Sequence, residues 1–197
     1  GDEGRIYAVA ISPDGKTVAA GGVTRFYDDR YQRGSSVYLF DAGSGALVRR
    51  IPGTKFGQRG SRIEQLEFSA DGKRLAVRRT ADRSLGIYDL STGDALDESV
   101  EQQSIYWTDM SFDAAGNLLL SRPGALLFFD AAMHKLGEQR EISPVRGARY
   151  FANGKQLSVL HTDGQLEVRK QPLPKKNQPL LLGAAMPKLS SVELMIH

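Results

Sequence analysis

An all-β fold is predicted for this chain of 197 residues by two observations. Short apolar stretches are separated by turns that contain Gly, Asp or Asn, which is the pattern of strands joined by tight reversals. The best example is Ile11–Lys16, Ile-Ser-Pro-Asp-Gly-Lys, between two apolar stretches. Finally, no segment keeps the apolar period of a helix for more than about two turns.

The Gly-containing turn recurs, and its recurrence defines the architecture. The turn glycines are Gly15, Gly72, Gly116 and Gly154, at intervals of 57, 44 and 38 residues. In such turns an Asp side chain caps the backbone and Gly adopts positive φ. A strand ending in Asp follows three of the turns, as Phe40-Asp41, Tyr88-Asp89 and Phe129-Asp130, with Val168-Arg169 as a weaker match. A period of about 40 residues with four strands per unit is typical of a β-propeller blade.

Each unit provides four strands, A to D in chain order. The predicted ranges are 5–11, 17–22, 36–40 and 46–51; 62–68, 74–79, 84–89 and 95–100; 104–112, 117–121, 125–130 and 134–139; and 145–151, 156–161, 165–170 and about 179–182. Strands 18–20 and 118–120 are continuously apolar, which predicts burial on both of their faces.

The domain predicted over residues 1–197 is a partial β-propeller. Its four-stranded blades span about 5–52, 62–100, 104–140 and 145–182, and residues 188–197 resemble the strand A of a fifth. The sequence therefore predicts part of a larger ring, whose remaining blades come from further sequence or from another chain. The open lateral faces of such a part are expected to be apolar.

The Ser-Pro-Asp-Gly turn and the Phe-Asp strand ends resemble WD repeats of the bacterial type. Phe, Tyr or Val stands where that family has Trp, and the only Trp, Trp107, lies in a strand A. The stretch 5–41 also resembles propellers attached to caspase-like peptidases, and TolB-like propellers share the turn less closely. The resemblance implies a non-catalytic scaffold or sensor for protein–protein interaction. The alternatives are the propeller of a hydrolase or peptidase whose catalytic domain lies outside this chain, and a periplasmic TolB-like binding module.

Catalytic and metal-binding signals are absent from the sequence, so we expect no enzyme activity, cofactor or metal within these residues. The chain has no nucleophile elbow, zinc-protease motif or phosphate-binding loop. Its histidines, His134, His161 and His197, have no metal-ligand spacing. Asp14, Asp71 and Asp163 precede glycines, where turn capping is the expected role.

The composition predicts a globular chain without a membrane span. Apolar residues make up 41% and charged residues 25%, and there is no cysteine. No apolar run approaches the roughly 18 residues of a spanning helix. The start of the sequence does not have the pattern of a secretory signal. We therefore expect the cytoplasm, with the periplasm as the alternative if a signal peptide has been removed.

Three loops carry the candidate binding residues. In a propeller the B–C and D–A loops emerge at one rim, and residues 24–36, 53–62 and 78–84 together hold nine basic and three acidic residues. The predicted binding residues are Arg25, Phe26, Tyr27, Arg30, Tyr31, Arg33, Lys55, Phe56, Arg59, Arg62, Arg78, Arg79 and Arg83.

Tyr and Arg are enriched in binding hot spots, so we expect a protein or peptide partner that is anionic where it meets these loops. Alternatively, the aromatic residues fold back to close the first loop while the arginines are only solvated. Nucleic acid is disfavoured because the next D–A loop is acidic, with Asp97, Glu98 and Glu101. Residues 171–183, rich in Pro, are expected to form an extended connection.

Overall fold

The computed structural model describes residues 4–23, 35–52, 62–80, 85–97, 108–151 and 156–170. These residues form fifteen strands and no helix. The strands are β1 (Arg5–Ile11), β2 (Thr17–Val23), β3 (Val37–Asp41), β4 (Leu47–Ile51), β5 (Ile63–Phe68), β6 (Arg74–Arg79), β7 (Leu85–Asp89), β8 (Ala95–Asp97), β9 (Asp109–Phe112), β10 (Leu118–Arg122), β11 (Ala125–Phe129), β12 (Lys135–Arg140), β13 (Val145–Phe151), β14 (Gln156–His161) and β15 (Leu166–Lys170).

The strands form four antiparallel sheets in chain order, and each sheet is one blade of a β-propeller. Blades one, two and three are β1–β4, β5–β8 and β9–β12, and the described part of blade four is β13–β15. The first strands of consecutive blades contact one another, so β1, β5, β9 and β13 lie at the hub. The prediction of an all-β propeller is confirmed.

Most predicted strand boundaries agree with the structure to within one residue. The largest difference is β9, which begins at Asp109 instead of residue 104; Thr108 is not in a strand, and residues 104–107 lie outside the described residues. The predicted strand at 179–182, the start of a fifth blade at 188–197 and the connection at 171–183 also lie outside them. Those predictions stay untested.

Turn capping by Asp is confirmed at the A–B turns. The Asp14 carboxylate accepts hydrogen bonds from the Ser12 hydroxyl at 2.6 Å and from the Lys16 N–H at 3.0 Å. Asp71 accepts the two equivalent bonds at the same distances. In the B–C turn of blade four, Asp163 likewise accepts a hydrogen bond from the N–H two residues later. The glycines at 15, 72 and 116 have φ of 71°, 70° and 80°, as this turn requires.

The core consists of three apolar clusters, one in each interface between consecutive blades. Ala19, Leu39 and Ile63 belong to the first cluster, between blades one and two. Leu118 and Leu120 face blade two, whereas Leu119 between them faces blade four. Strand β10, which holds these three leucines, is therefore buried on both faces, as its continuous apolar sequence predicts.

Blade one differs, because no described element packs on its second face. Val18 and Ala20 are only partly buried, although Ala19 between them is fully buried. On the same open face Val9, Ile11 and Leu47 are 61, 64 and 55% exposed. The prediction that residues 18–20 are buried on both faces is therefore wrong for the face that lies away from blade two. A continuously apolar strand requires a neighbour on each side for full burial.

Candidate functional site

The strand register places the ends of the three predicted loops at one edge of blades one and two. In blade one Arg5 pairs with Val23, and Val37 pairs with Ile51, so the B–C and D–A connections leave the same sheet edge. In blade two Ile63 pairs with Arg79 at the corresponding edge. We call this edge the loop rim; the opposite edge carries the A–B and C–D turns and is called the turn rim.

Three of the thirteen predicted binding residues lie within the described part of the chain: Arg62, Arg78 and Arg79. The other ten lie outside it: Arg25, Phe26, Tyr27, Arg30, Tyr31, Arg33, Lys55, Phe56, Arg59 and Arg83. The assignment of all thirteen to binding stays a prediction.

The structure brings two of these arginines onto one carboxylate. Arg62 Nη2 lies 2.6 Å from Glu64 Oε1, and Arg78 Nη1 lies 3.5 Å from Glu64 Oε2. The guanidinium carbon of Arg62 stands 5.1 Å from the ring centre of Tyr7, which belongs to blade one. We call Tyr7, Arg62, Glu64 and Arg78 the rim cluster. Its formal charge is +1, since two arginines share one glutamate.

A repeated β-bulge positions two members of the rim cluster. The register between strands A and B shifts at Tyr7 in blade one, at Glu64 in blade two and at Arg146 in blade four. A bulge leaves one residue unpaired and changes the direction of its side chain. Tyr7 and Glu64 are the extra residues, at the same position of their repeats, and both side chains therefore meet Arg62 at the seam between the blades.

The rim cluster offers an aromatic face and charged donors to solvent. The side chains of Arg62 and Tyr7 are each 46% exposed. The hydrogen bond from Arg62 to Glu64 raises the pKa of Arg62, and the charge of Glu64 acts in the same direction. Arg and Tyr in such a pair supply large contact area together with directional hydrogen bonds.

Arg79 lies elsewhere, since its side chain is buried between blades one and two at 2% exposure. Its Nη2 donates a hydrogen bond to the Tyr88 hydroxyl at 3.0 Å, and its guanidinium carbon lies 5.7 Å from the centre of the Tyr88 ring. The alternation of strand β6 accounts for this direction, because Leu75, Val77 and Arg79 face the same cluster.

A second polar group, on the hub strands, was not predicted from the sequence. Arg149 of β13 places Nη2 3.0 Å from Asp109 Oδ1 of β9 and Nη1 3.1 Å from Glu67 Oε2 of β5. Gln65 donates to Asp109 from the neighbouring strand at 2.5 Å. We call Gln65, Glu67, Asp109 and Arg149 the hub network, and it joins three blades.

Burial raises the pKa of Glu67, and the nearby charge of Asp109 raises it further, although Arg149 acts in the opposite direction. A sequence signal for the hub network did exist: polar residues alternate with the core residues Leu66, Met110 and Ala148 along the A strands. That alternation shows which face is polar, but not which residues of different blades meet.

No group of three or more His, Cys, Asp or Glu side chains among the described residues could hold a metal ion. Within the same part of the chain, no helix has the length and apolar character needed to cross a membrane.

The sequence matches no protein-family model and no curated protein. Solved structures do share its fold. A chain of the mitotic checkpoint complex is similar at 19% identity with a TM-score of 0.64, over 90% of this chain and 52% of that one. Hydrazine synthase of Kuenenia stuttgartiensis is similar at 17% identity with a TM-score of 0.63, over 84% of this chain and 46% of that one. The computationally designed Ika4 protein is similar at 18% identity with a TM-score of 0.61, over 86% of this chain and 93% of that one.

At these identities the similarity shows the fold alone. The mitotic checkpoint and hydrazine synthase structures both contain propellers, in agreement with the four sheets described above. The chain spans about half the length of each of those two chains.

Proposed function

We propose that this β-propeller is a non-catalytic protein-interaction module that binds its partner through the loop rim of blades one and two. The rim cluster supports the proposal most directly. It presents Tyr7 and Arg62 to solvent at the seam where the three basic loops begin and end. A rigid sheet that carries loops of this composition suits the recognition of a protein surface.

The charge of the rim sets the kind of partner. The three loops carry a surplus of six positive charges, whereas the whole chain carries only +3. Opposite charge on a partner would speed the encounter and orient the complex. The partner surface is therefore a protein or peptide patch rich in Asp and Glu. The hydrolase-attached propeller and the TolB-like module stay alternatives, and no contact among the described residues favours either.

The test is a capture experiment with matched charge-reversal variants. Proteins retained from a lysate of the source cells by the wild type are compared with those retained by the variant R25E/R30E/R59E. The control, K16E/K73E/K170E, makes the same change in charge at exposed lysines on the turn rim. We expect the loop-rim variant to lose the retained proteins and the control to keep them. Equal retention by both folded variants would contradict the proposal.

A further inference from the structure

Arg79 is a cation buried just below the loop rim. It is the last residue of β6, and its side chain lies in the interface between blades one and two. Thr80, the next residue, is only partly buried, and its N–H donates to the Arg62 carbonyl at the rim itself. Arg79 therefore lies one residue inside the loop rim, with its guanidinium in the seam between the two blades.

The partners of Arg79 leave much of its hydrogen-bonding capacity unused. Nη2 donates to the Tyr88 hydroxyl, and the ring of Tyr88 provides a π face. Nε and Nη1 are buried, and no acceptor among the described residues forms a hydrogen bond with either atom. A guanidinium carries five N–H donors and no acceptor, so most of its donors have no protein partner there.

Two partly buried arginines elsewhere in the fold have the ion pairs that Arg79 lacks. Arg122 contacts Glu138, and Arg169 lies 3.0 Å from Glu141 and 3.2 Å from Glu167. Arg79 contacts no carboxylate among the described residues. An arginine stays protonated at any physiological pH, and a buried charge without a counter-ion is strongly unfavourable. Tyr88 compensates only part of this, because a hydroxyl and a ring are neutral.

We propose that Arg79 is the receptor for a carboxylate group that enters the seam between blades one and two from the loop rim. The inference rests on the proposed function in taking this carboxylate from an Asp or Glu side chain of the bound partner. A monovalent carboxylate matches the single positive charge of Arg79 and accepts hydrogen bonds from Nε or Nη1. The hydrogen bond to Tyr88 fixes the guanidinium before the partner arrives, which reduces the ordering needed on binding.

The first arm of the test uses acetate as the probe. Equilibrium unfolding of the full chain is measured at pH 7 in sodium acetate and in sodium chloride of equal ionic strength. A ligand that binds the folded state shifts the folding equilibrium by the factor 1 + [L]/Kd. We expect acetate at ten times its Kd to shift the wild type about tenfold further than chloride does. R79M should show less than a twofold difference, and the control R146M, at an exposed arginine of blade four, should respond like the wild type. Equal responses of R79M and the wild type would overturn the inference.

A second measurement keeps the test valid if R79M does not fold. In wild-type protein with 15N-labelled arginine, the Nε–H resonance of Arg79 should move with acetate and saturate, whereas that of the exposed Arg146 in blade four should not. R79K, which keeps the charge, identifies the resonance by its loss. A resonance of Arg79 that does not respond to acetate would also overturn the inference.

The last arm separates the source of the carboxylate from the proposed function. R79M is used in the capture experiment, and we expect it to retain fewer partner proteins than the wild type. If acetate binds at Arg79 but R79M retains as many, a partner carboxylate is ruled out as the ligand. If acetate binds and R25E/R30E/R59E still retains the partners, the proposed function fails while the anion site itself stands.

Discussion

Arg149 Nη2 lies 3.0 Å from Asp109 Oδ1, and the same guanidinium reaches Glu67 with its Nη1 at 3.1 Å. One side chain of blade four thereby contacts the hub strands of blades two and three. The two carboxylates are largely buried, whereas Arg149 is 50% exposed. The hub network therefore contributes more than an isolated surface ion pair, because its carboxylates would otherwise be desolvated without a counter-charge.

Removal of Arg149 should destabilise the protein. We expect R149A to lower the free energy of unfolding by about 1–2 kcal/mol, since it leaves Asp109 and Glu67 close together without their cation. Urea unfolding measures the change. The matched control is R146A, an exposed arginine of the same strand, for which we expect a change within about 0.5 kcal/mol. Equal effects of the two substitutions would show that the hub network does not bind the blades together.

The raised pKa of Glu67 predicts a pH dependence of stability. The native state holds the Glu67 proton more tightly than the unfolded state, whose pKa is near 4.5. The unfolding free energy of the wild type therefore falls as pH rises from 4.5 through the higher native pKa. E67Q lacks this contribution. We expect the unfolding free energy of E67Q minus that of the wild type to increase as pH rises from 4 to 7. Urea unfolding at each pH measures this difference.

Glu138 serves as a control of opposite sign. Burial alone would raise its pKa, but the hydrogen bond and the charge of Arg122 outweigh burial and lower it. The stabilisation is present above the unfolded pKa of 4.5 and is lost as pH falls through the lower native value. The unfolding free energy of E138Q minus that of the wild type should therefore decrease as pH rises from 3 to 7. Parallel pH profiles for E67Q and E138Q would contradict both assignments.

Gly21 allows blades one and two to approach closely. A Cβ atom at this position would lie 2.9 Å from Ile63 Cγ2, and Ile63 is fully buried. We expect G21A to cost about 1–3 kcal/mol of unfolding free energy by overpacking. In the I63A background the same substitution should cost clearly less, because Cγ2 and Cδ1 are gone and only the Cβ atom of residue 63, at 3.1 Å, remains close. The control G124A meets no neighbour within 4 Å.

Thermal and urea unfolding of the wild type, G21A, I63A and the double variant would give the coupling energy between Gly21 and Ile63. A similar cost of G21A in both backgrounds would mean that backbone conformation, not the approach of the blades, requires glycine there.

Met133 occupies a backbone conformation that favours glycine. Its φ is 65°, and the C–D turns of blades one and two have Gly45 and Gly93 with φ of 71° and 84°. A non-glycine residue at positive φ costs roughly 1–2 kcal/mol. Met133 also packs on the apolar cluster between blades two and three. We therefore compare M133G with M133A, which both lose that packing.

M133G should be more stable than M133A by about 1 kcal/mol in urea unfolding. At the neighbouring Ala132, whose φ is not positive, A132G should instead destabilise. If M133A proved as stable as M133G, the φ of Met133 would not be a source of strain.

The strands and turns could be predicted because their determinants are local. Asp14 and Gly15 specify their turn through bonds within five residues, and the same chemistry recurs at Asp71 and Gly72. The hub network could not be predicted, because Arg149 meets Glu67 across 82 positions of sequence. Such contacts depend on the angle between consecutive blades, and the length of the sequence repeat does not determine that angle.

The same limit applies to the loop rim. Arg62 and Arg79 are both basic residues beside a predicted loop, yet one is 46% exposed and the other is buried. The difference follows from the register, since the alternation of β6 turns Arg79 into the blade interface whereas Arg62 precedes its strand. Composition alone therefore locates the basic edge but does not sort its residues by role.

The most direct test of binding at the loop rim is a hydrogen-exchange comparison of the free protein and its complex with a captured partner. We expect slower amide exchange in residues 24–36, 53–62 and 78–84 of the complex. Exchange in the turn-rim segments 12–17, 41–46, 69–74 and 89–94 should not change. Protection confined to the turn rim, or to the open face of blade one around Val9 and Ile11, would contradict partner binding at the loop rim.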